Sequence, residues 1–189
     1  MELKDPGQLR EGQTATFYAR GWIVGEGVAL REMGHRSRQA ASTMQSDMQM
    51  QEKLNAEIRS RIETADVVAV GKVTAVQALS VAAPSQKFIT EHDPDWREAV
   101  IEVESGLKGV RSGEKIVVRF PSSDDVAWYE VPKFKQGQTG VFFLQVDKVT
   151  GLKQAMVSGR ETDTYVVQKP FDVLPKEETE RIRSLMRKK

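Results

Sequence analysis

Residues 67–76 have the sequence Val-Val-Ala-Val-Gly-Lys-Val-Thr-Ala-Val, a nearly continuous β-branched run broken by Gly71. Branched side chains favour extended backbone, and a strand with apolar residues on both faces must be covered on both. A short apolar run of this length therefore predicts a buried β-strand.

Further strands are predicted downstream, separated by turn residues. Trp96–Glu104 alternates apolar and acidic side chains, which predicts a half-buried strand with Glu98, Glu102 and Glu104 on its outer face. The other predicted strands are Lys115–Phe120, Val141–Val146, the weaker Leu152–Val157, and Thr164–Gln168. Short strands in this order favour a small barrel or sandwich over βαβ units, and we expect a five-stranded, OB-like antiparallel β-barrel.

Two helices are predicted to flank the barrel, which makes the fold class mainly β with flanking helices (α+β). Apolar side chains recur at helical spacing before the first barrel strand, and Pro175 suits the first turn of a C-terminal helix. Upstream, Thr14–Arg20 and Trp22–Arg31 predict a bent strand or hairpin. We therefore expect residues 1–64 to form a β-hairpin and long helix that pack on the barrel, and residues 65–189 to form the barrel with its C-terminal helix.

The amino-acid composition excludes or disfavours several classes of function. The chain has 189 residues, a net charge of +1 and no cysteine. The lack of cysteine excludes disulfides, thiolate zinc sites and cysteine nucleophiles. The balanced charge does not favour nucleic-acid binding, and no apolar run approaches the roughly 20 residues of a membrane span. The polar residues 1–10 lack a signal-peptide core, which favours the cytoplasm unless a leader has been removed for export. No oligomeric state is predicted.

Four segments carry a resemblance to a known family. They are residues 65–73 (ADVVAVGKV), 100–109 (VIEVESGLKG), 115–120 (KIVVRF) and 137–144 (GQTGVFFL). Together they resemble netrin-like domains, the OB-fold class typified by tissue inhibitors of metalloproteinases, over roughly residues 65–170. The resemblance implies a barrel whose second strand ends in the Lys108-Gly109 turn.

The resemblance does not extend to inhibition of metalloproteinases. In those inhibitors an N-terminal cysteine chelates the protease metal, and this chain has no cysteine, neither for that role nor for the family's disulfides. The segments at 92–96, 120–128 and 131–134 also resemble an uncharacterised bacterial protein group, which implies no activity. OB folds bind nucleic acids, sugars and proteins, so the fold does not name a ligand.

A polar cluster suggests one candidate site. His92, Asp93 and Asp95 precede a predicted strand, and Asp124 and Asp125 come close if their loop meets theirs at one barrel end. A histidine with carboxylates can bind a divalent metal. The alternative is turn chemistry, because aspartate side chains commonly bond nearby backbone groups.

Aromatic residues in the same loops suggest a second candidate site. Trp96, Trp128, Tyr129 and Phe134, with Lys133 beside them, are positioned to bind a protein partner. The alternative is that these rings close the barrel core.

No enzyme motif is present. There is no Gly-x-Ser-x-Gly elbow, and His35 and His92, the only histidines, lie in no recognisable catalytic motif. The sequence therefore predicts a non-enzymatic protein-interaction or regulatory module that has an unidentified protein partner and no cofactor. The alternative is a metal- or small-ligand-binding domain that uses His92 and the neighbouring carboxylates.

Overall fold

The computed structural model describes residues 15–24, 27–37, 43–80, 92–152, 154–157 and 159–187. Most of the predicted loop at 82–95 therefore lies outside the described residues. The strands are β1 Ala15–Val24, β2 Gly27–Ser37, β3 Val67–Ala78, β4 Trp96–Lys108, β5 Lys115–Pro121, β6 Thr139–Val146, β7 Ala155–Val157, β8 Arg160–Thr162, β9 Thr164–Val166 and β10 Val173–Leu174. The helices are α1 Thr43–Thr64 and α2 Thr179–Arg187, and short 3-10 turns span Pro170–Asp172 and Lys176–Glu178.

Five strands close into a barrel in the order β3-β4-β5-β9-β6 and back to β3. Four of the pairings are antiparallel, and β5 pairs with β9 in parallel. The predicted fold class is confirmed: the chain is mainly β, with a five-stranded barrel, a helix before it and a C-terminal helix. The one parallel pairing has a geometric cause, because strand direction cannot alternate at every step around a closed ring of five.

The barrel has apolar side chains inside and on part of its outer wall. Strand β3 contributes to both layers, with Val67, Ala69 and Val73 facing the inside and Val68 and Val70 facing the helices. This double burial explains why the β3 sequence is a continuous apolar run instead of an alternating one. The remaining interior residues include Ala99, Ile101, Val103, Ile116, Val118, Phe120, Phe134, Phe142 and Leu144.

The two helices cover the outer face of β3 and β6. Ile58 of α1 and Ile182 and Leu185 of α2 are buried in one cluster with Val68 and Phe143. These residues belong to the apolar stripes expected of helices that pack on a sheet. Helix α2 begins at Thr179, after a 3-10 turn, rather than at Pro175 as predicted. Neither described helix is long and apolar enough to cross a membrane.

The N-terminal strands β1 and β2 form the predicted hairpin, with an irregularity between Tyr18 and Ala19. Gly34 of β2 lies against the side-chain end of Met50 in α1, so closely that a Cβ atom there would clash. The hairpin thus contacts the helix that covers the barrel. The domain boundary at residues 64 and 65 stays a prediction.

The Lys108-Gly109 turn joins the barrel to the end of α1. The Lys108 Nζ donates to the carbonyl oxygens of Ile62 at 2.8 Å and Ala65 at 2.5 Å, acceptors that the helix end leaves without intrahelical partners. Gly109 has a φ of +69°, and a Cβ atom there would clash with the Asp66 carbonyl oxygen. The turn therefore needs both a lysine and a glycine.

We expect Gly109→Ala to destabilise the fold more than Gly113→Ala. Both glycines have positive φ, but nothing lies within 4 Å of a Cβ atom at Gly113. The backbone conformation alone costs about 1 kcal/mol, and the clash at Gly109 should add about 2 kcal/mol. Urea unfolding of the two variants measures the difference, and equal losses would contradict the close approach to Asp66.

Candidate functional site

The candidate site lies at the barrel end where β4 begins and β5 ends. Trp96, the first residue of β4, pairs in register with Pro121, the last residue of β5. The loop before β4 and the loop after β5 therefore leave the barrel side by side. The Ser122 N–H donates to the Asp95 carbonyl at 3.0 Å, and the Ser123 N–H donates to the Pro94 carbonyl at 3.3 Å. The two loops that sequence analysis singled out thus meet.

A histidine–aspartate pair links the two loops. His92 Nδ1 lies 2.8 Å from Asp125 Oδ2, and Asp125 Oδ1 accepts the Ala127 N–H at 2.8 Å. The bond from the Ala127 N–H is the main cause that lowers the pKa of Asp125 below its usual range, and the His92 hydrogen bond lowers it further. Asp125 is therefore a carboxylate at neutral pH.

Trp128 is fixed at both its backbone and its ring. Its indole Nε1–H donates to the His92 carbonyl oxygen at 2.8 Å, and its own carbonyl accepts from Lys133 Nζ at 3.0 Å. Its ring lies edge-on to Trp96, with centroids 5.8 Å apart and planes at 64°. Both tryptophans are half-buried, and Trp128 packs partly against the barrel interior.

Lys133 lies beneath the loop. The residue is only 5% exposed, and its Nζ donates to the Pro121 carbonyl at 2.5 Å as well as to that of Trp128. Burial lowers the pKa of Lys133 to about 8, against the opposing effect of the Asp124 charge. The ammonium group thus holds together two points of the loop, next to β5 and at Trp128.

The predicted binding residues separate into two layers. Trp96, Trp128 and Tyr129 are half-buried, and Tyr129 Oη lies 3.3 Å from Glu130 Oε1. Phe134 is only 5% exposed and packs in the barrel, 5.1 Å from the Phe120 ring and 6.0 Å from the Phe142 ring between centroids. For Phe134 the core alternative therefore fits, and Lys133 supports the surface from below instead of forming it.

The predicted metal ligands do not converge. His92 pairs with Asp125 and not with the predicted Asp124. Asp95 has a φ of +43° and accepts a hydrogen bond from the Ser122 hydroxyl. Asp93 is half-buried and Asp124 is exposed. Within the part of the chain that the structure describes, no group of three or more His, Asp or Glu side chains is placed to hold a metal ion.

The His92–Asp125 pair resembles the base and orienting acid of a hydrolase, but the nearby serines that the structure describes have other partners. The hydroxyl of Ser122 donates to Asp95, and that of Ser123 accepts from the Asp125 N–H. No serine of the described ranges bonds the His92 ring. In the described ranges, the pair links one loop to the other.

Two cavities lie away from His92. One of about 440 Å³ lies between β1, α1 and the segment before α2, and its lining includes Tyr18, Leu54 and Arg181. Another of about 270 Å³ is lined in part by Lys133 and Thr139. Neither is lined by any of the four predicted metal ligands.

A buried ion network was missed by sequence analysis. Arg119 of β5 is fully buried; its Nε lies 3.2 Å from Glu98 Oε1 and its Nη1 lies 2.9 Å from Asp147 Oδ2. Thr150 and Thr164 also accept from Nη1, at 3.3 and 3.4 Å. Glu98, predicted on the outer face with Glu102 and Glu104, does face outward but is completely buried.

Strands β7 and β8 account for part of this burial. Ala155 of β7 is fully buried, and the Met156 N–H donates to Ser80 Oγ at 2.9 Å. The Ser80 N–H in turn donates to Glu98 Oε2 at 3.0 Å. The signal in the sequence was Arg119 itself, the single charge in the apolar run 116–120 (IVVRF), because an arginine in such a run needs a partner.

The fold and the site define a mainly β protein with a closed five-stranded mixed barrel and an aromatic loop surface at one barrel end. Comparison with family models and with curated proteins finds no match.

We expect Arg119→Met to destabilise the fold by about 3–5 kcal/mol, because Glu98 and Asp147 would remain buried without their cation. Adding Glu98→Gln and Asp147→Asn should recover part of that loss by removing both uncompensated charges. Denaturant unfolding of the single and triple variants tests this. A triple variant less stable than Arg119→Met would show that the charges are not the cause.

The pKa of Lys133 can be measured by following its ¹³Cε resonance, assigned by its disappearance in Lys133→Arg. We expect a midpoint near pH 8. Between that pH and the ordinary lysine pKa of about 10.4, the unfolded chain binds more protons than the folded chain. The contribution of Lys133 to stability should therefore rise with pH across that window. A midpoint above pH 10 would contradict the burial of the amine.

Proposed function

We propose that this protein is a non-enzymatic protein-interaction module that binds a protein partner through the surface formed by Trp96, Val126 and Trp128. We call this the tryptophan surface. The observation that carries the proposal is the pair of half-exposed tryptophans in edge-to-face contact, one of which is held in place by its indole N–H bond to His92.

The tryptophan surface has the properties of an interface that is formed before binding. Tryptophan offers a large contact area, and a ring already fixed in orientation loses little conformational freedom when a partner arrives. Val126 is 76% exposed and adds an apolar side chain at the tip of the loop. A rigid barrel that presents binding residues on loops is a common arrangement.

The outer face of β4 and β5 is a less favourable place for a ligand. Its central side chains, Glu98 and Arg119, are buried and bonded to each other. Oligonucleotide binding on this face would require exposed cations, and the near-neutral net charge also argues against it. These features support protein binding at the barrel end over nucleic-acid binding on the barrel wall.

A netrin-like relationship is part of the proposal. It is supported by the position of the resembling segments on β3, β4, β5 and β6 of one closed barrel. The two residues of the Lys108-Gly109 turn also have structural roles. Lys108 caps the end of α1, and Gly109 allows the backbone to approach the Asp66 carbonyl closely. The proposal concerns the barrel and carries no protease inhibition with it.

The test is binding to a partner captured from cell extract and then purified, measured with surface variants. We expect Trp128→Ala and Val126→Ser each to weaken binding by at least about tenfold, as loss of interface anchors does. Val149→Ser is the matched control, because Val149 is also exposed, at 50%, but lies in the segment after β6 and in neither of the two loops that carry the tryptophans.

Circular dichroism and thermal unfolding establish whether each variant is folded. Val126→Ser removes a side chain that is mostly in solvent, so its effect on binding is independent of the fold. If Val126→Ser and Trp128→Ala both bind like the wild-type protein, or if Val149→Ser is equally impaired, the proposed surface is wrong.

A further inference from the structure

We propose that the partner segment bound by the tryptophan surface is basic, with an arginine or lysine side chain resting against the indole rings and facing the loop aspartates. This inference rests on the proposed function and adds the chemistry of the partner. It follows from two separate features of the loops. One is the chemistry of the exposed surface of the indole rings, and the other is the sign of the charged side chains around these rings.

The exposed part of Trp128 presents carbon rather than a hydrogen-bond donor. Its single polar group, Nε1–H, is already bonded to the His92 carbonyl. A partner therefore meets only the face or edge of the ring. The negative face of an indole attracts a cation within about 6 Å of its centroid, and tryptophan does so best among the aromatic side chains. Val126 can pack against the aliphatic stem of the same cationic side chain.

Among the described residues of the two loops, the charged side chains around the rings are predominantly negative. The two loops carry Asp93, Asp95, Asp124 and Asp125, and the last is kept ionised by its hydrogen bonds. Asp95 and Asp124 are exposed. Glu130, at the end of the loop, is paired with Arg31 of β2.

The positive charges that the structure describes nearby do not cancel this excess. Lys133 is buried under the loop, with its amine directed to backbone carbonyls. Arg97 lies near Asp95, with its Nε 4.0 Å from a carboxylate oxygen. Because both side chains are exposed and the distance is long, the Asp95 carboxylate stays largely solvated. An approaching cation is attracted by this field, whereas an acidic segment is repelled.

The geometry also distinguishes a cationic side chain from a metal ion. The carboxylates and His92 do not form a three-ligand group in the described residues. A bare divalent cation needs several oxygen ligands at short range. An ammonium or guanidinium group needs only a ring face and one or two carboxylates, which is what these loops provide.

The test uses three synthetic fluorescein-labelled peptides in which glycine alternates with arginine, glutamine or glutamate. Binding is measured by fluorescence anisotropy with the full chain at low and high salt. We expect saturable binding of the arginine peptide, at least about tenfold tighter than that of the glutamine peptide, and no binding of the glutamate peptide. Raising the salt from 0.1 M to 1 M shortens the screening length from about 10 to about 3 Å and should weaken the arginine complex.

Variants locate the binding on the surface. Asp124→Asn and Trp128→Ala should each weaken the arginine peptide severalfold or more, and Val126→Ser should do so without any change in fold. Glu63→Gln is the matched control for charge, because it removes one exposed carboxylate at the end of α1, at the opposite end of the barrel. Equal effects of Glu63→Gln and Asp124→Asn would mean that the peptide senses only overall charge, and would overturn the inference.

The outcomes separate this inference from the proposed function. If the arginine peptide shows no saturable binding at low salt, or the glutamine peptide binds as tightly, the basic partner is excluded and the tryptophan surface can still bind a partner of other chemistry. If the arginine peptide binds but neither Trp128→Ala nor Val126→Ser affects it, the peptide binds elsewhere and the basic partner at this surface is excluded, whereas the proposed function fails only if the same variants also bind the captured partner like the wild-type protein.

Discussion

A closed ring of five strands cannot pair antiparallel all the way round, and much of the molecule follows from that constraint. The parallel pairing is that of β5 with β9, a strand that also pairs antiparallel with β6 and so closes the ring between β5 and β6, and a separate segment joins β6 to β9. That segment contains β7 and β8, and its hydrogen bond to Ser80 holds it near Glu98. Asp147, which follows β6, and Thr164 of β9 both bond Arg119 of β5, so the buried ion network lies where β9 closes the barrel.

The buried network has a further effect on where a partner can bind. Arg119 has two carboxylate partners and two hydroxyl partners, so its donors are satisfied without solvent. An arginine used in this way holds the segment after β6 against β5 and is not available to a ligand. The accessible polar and aromatic side chains lie instead at the barrel end, where the loops before β4 and after β5 meet.

The parts of the fold that sequence analysis predicted are those that depend on local pattern. The strand at 67–76, the alternation after Trp96 and the apolar β6 each contain their own signal, because side-chain burial repeats along the element. The Arg119–Glu98 pair contains no such signal, since its partners are 21 residues apart and their burial depends on a distant segment. Phe134 was placed at the surface for the same reason: its neighbours Phe120 and Phe142 come from other strands.

The candidate site was predicted at the level of loops and only in part at the level of side chains, because sequence analysis could not choose between Asp124 and Asp125 as the partner of His92. That residues 92–96 and 122–134 meet follows from the pairing of Trp96 with Pro121, which the strand pattern anticipates. Which aspartate faces His92 depends on a tight turn, in which Asp125 bonds the Ala127 N–H and so directs its other oxygen to the imidazole. A shift of one position changes the partner, and composition cannot resolve such a shift.

Lys133 connects the stability of the loop to the tryptophan surface. A buried ammonium without a carboxylate partner is costly, as its lowered pKa indicates, and a residue that served only to fill space would be apolar. Its hydrogen bonds to the carbonyls of Pro121 and Trp128 instead fix the backbone from which the exposed indole projects. Burying the amine costs free energy, but the hydrogen bonds it makes order the loop before binding. A partner that contacts Trp128 therefore does not lose the additional free energy of ordering this loop.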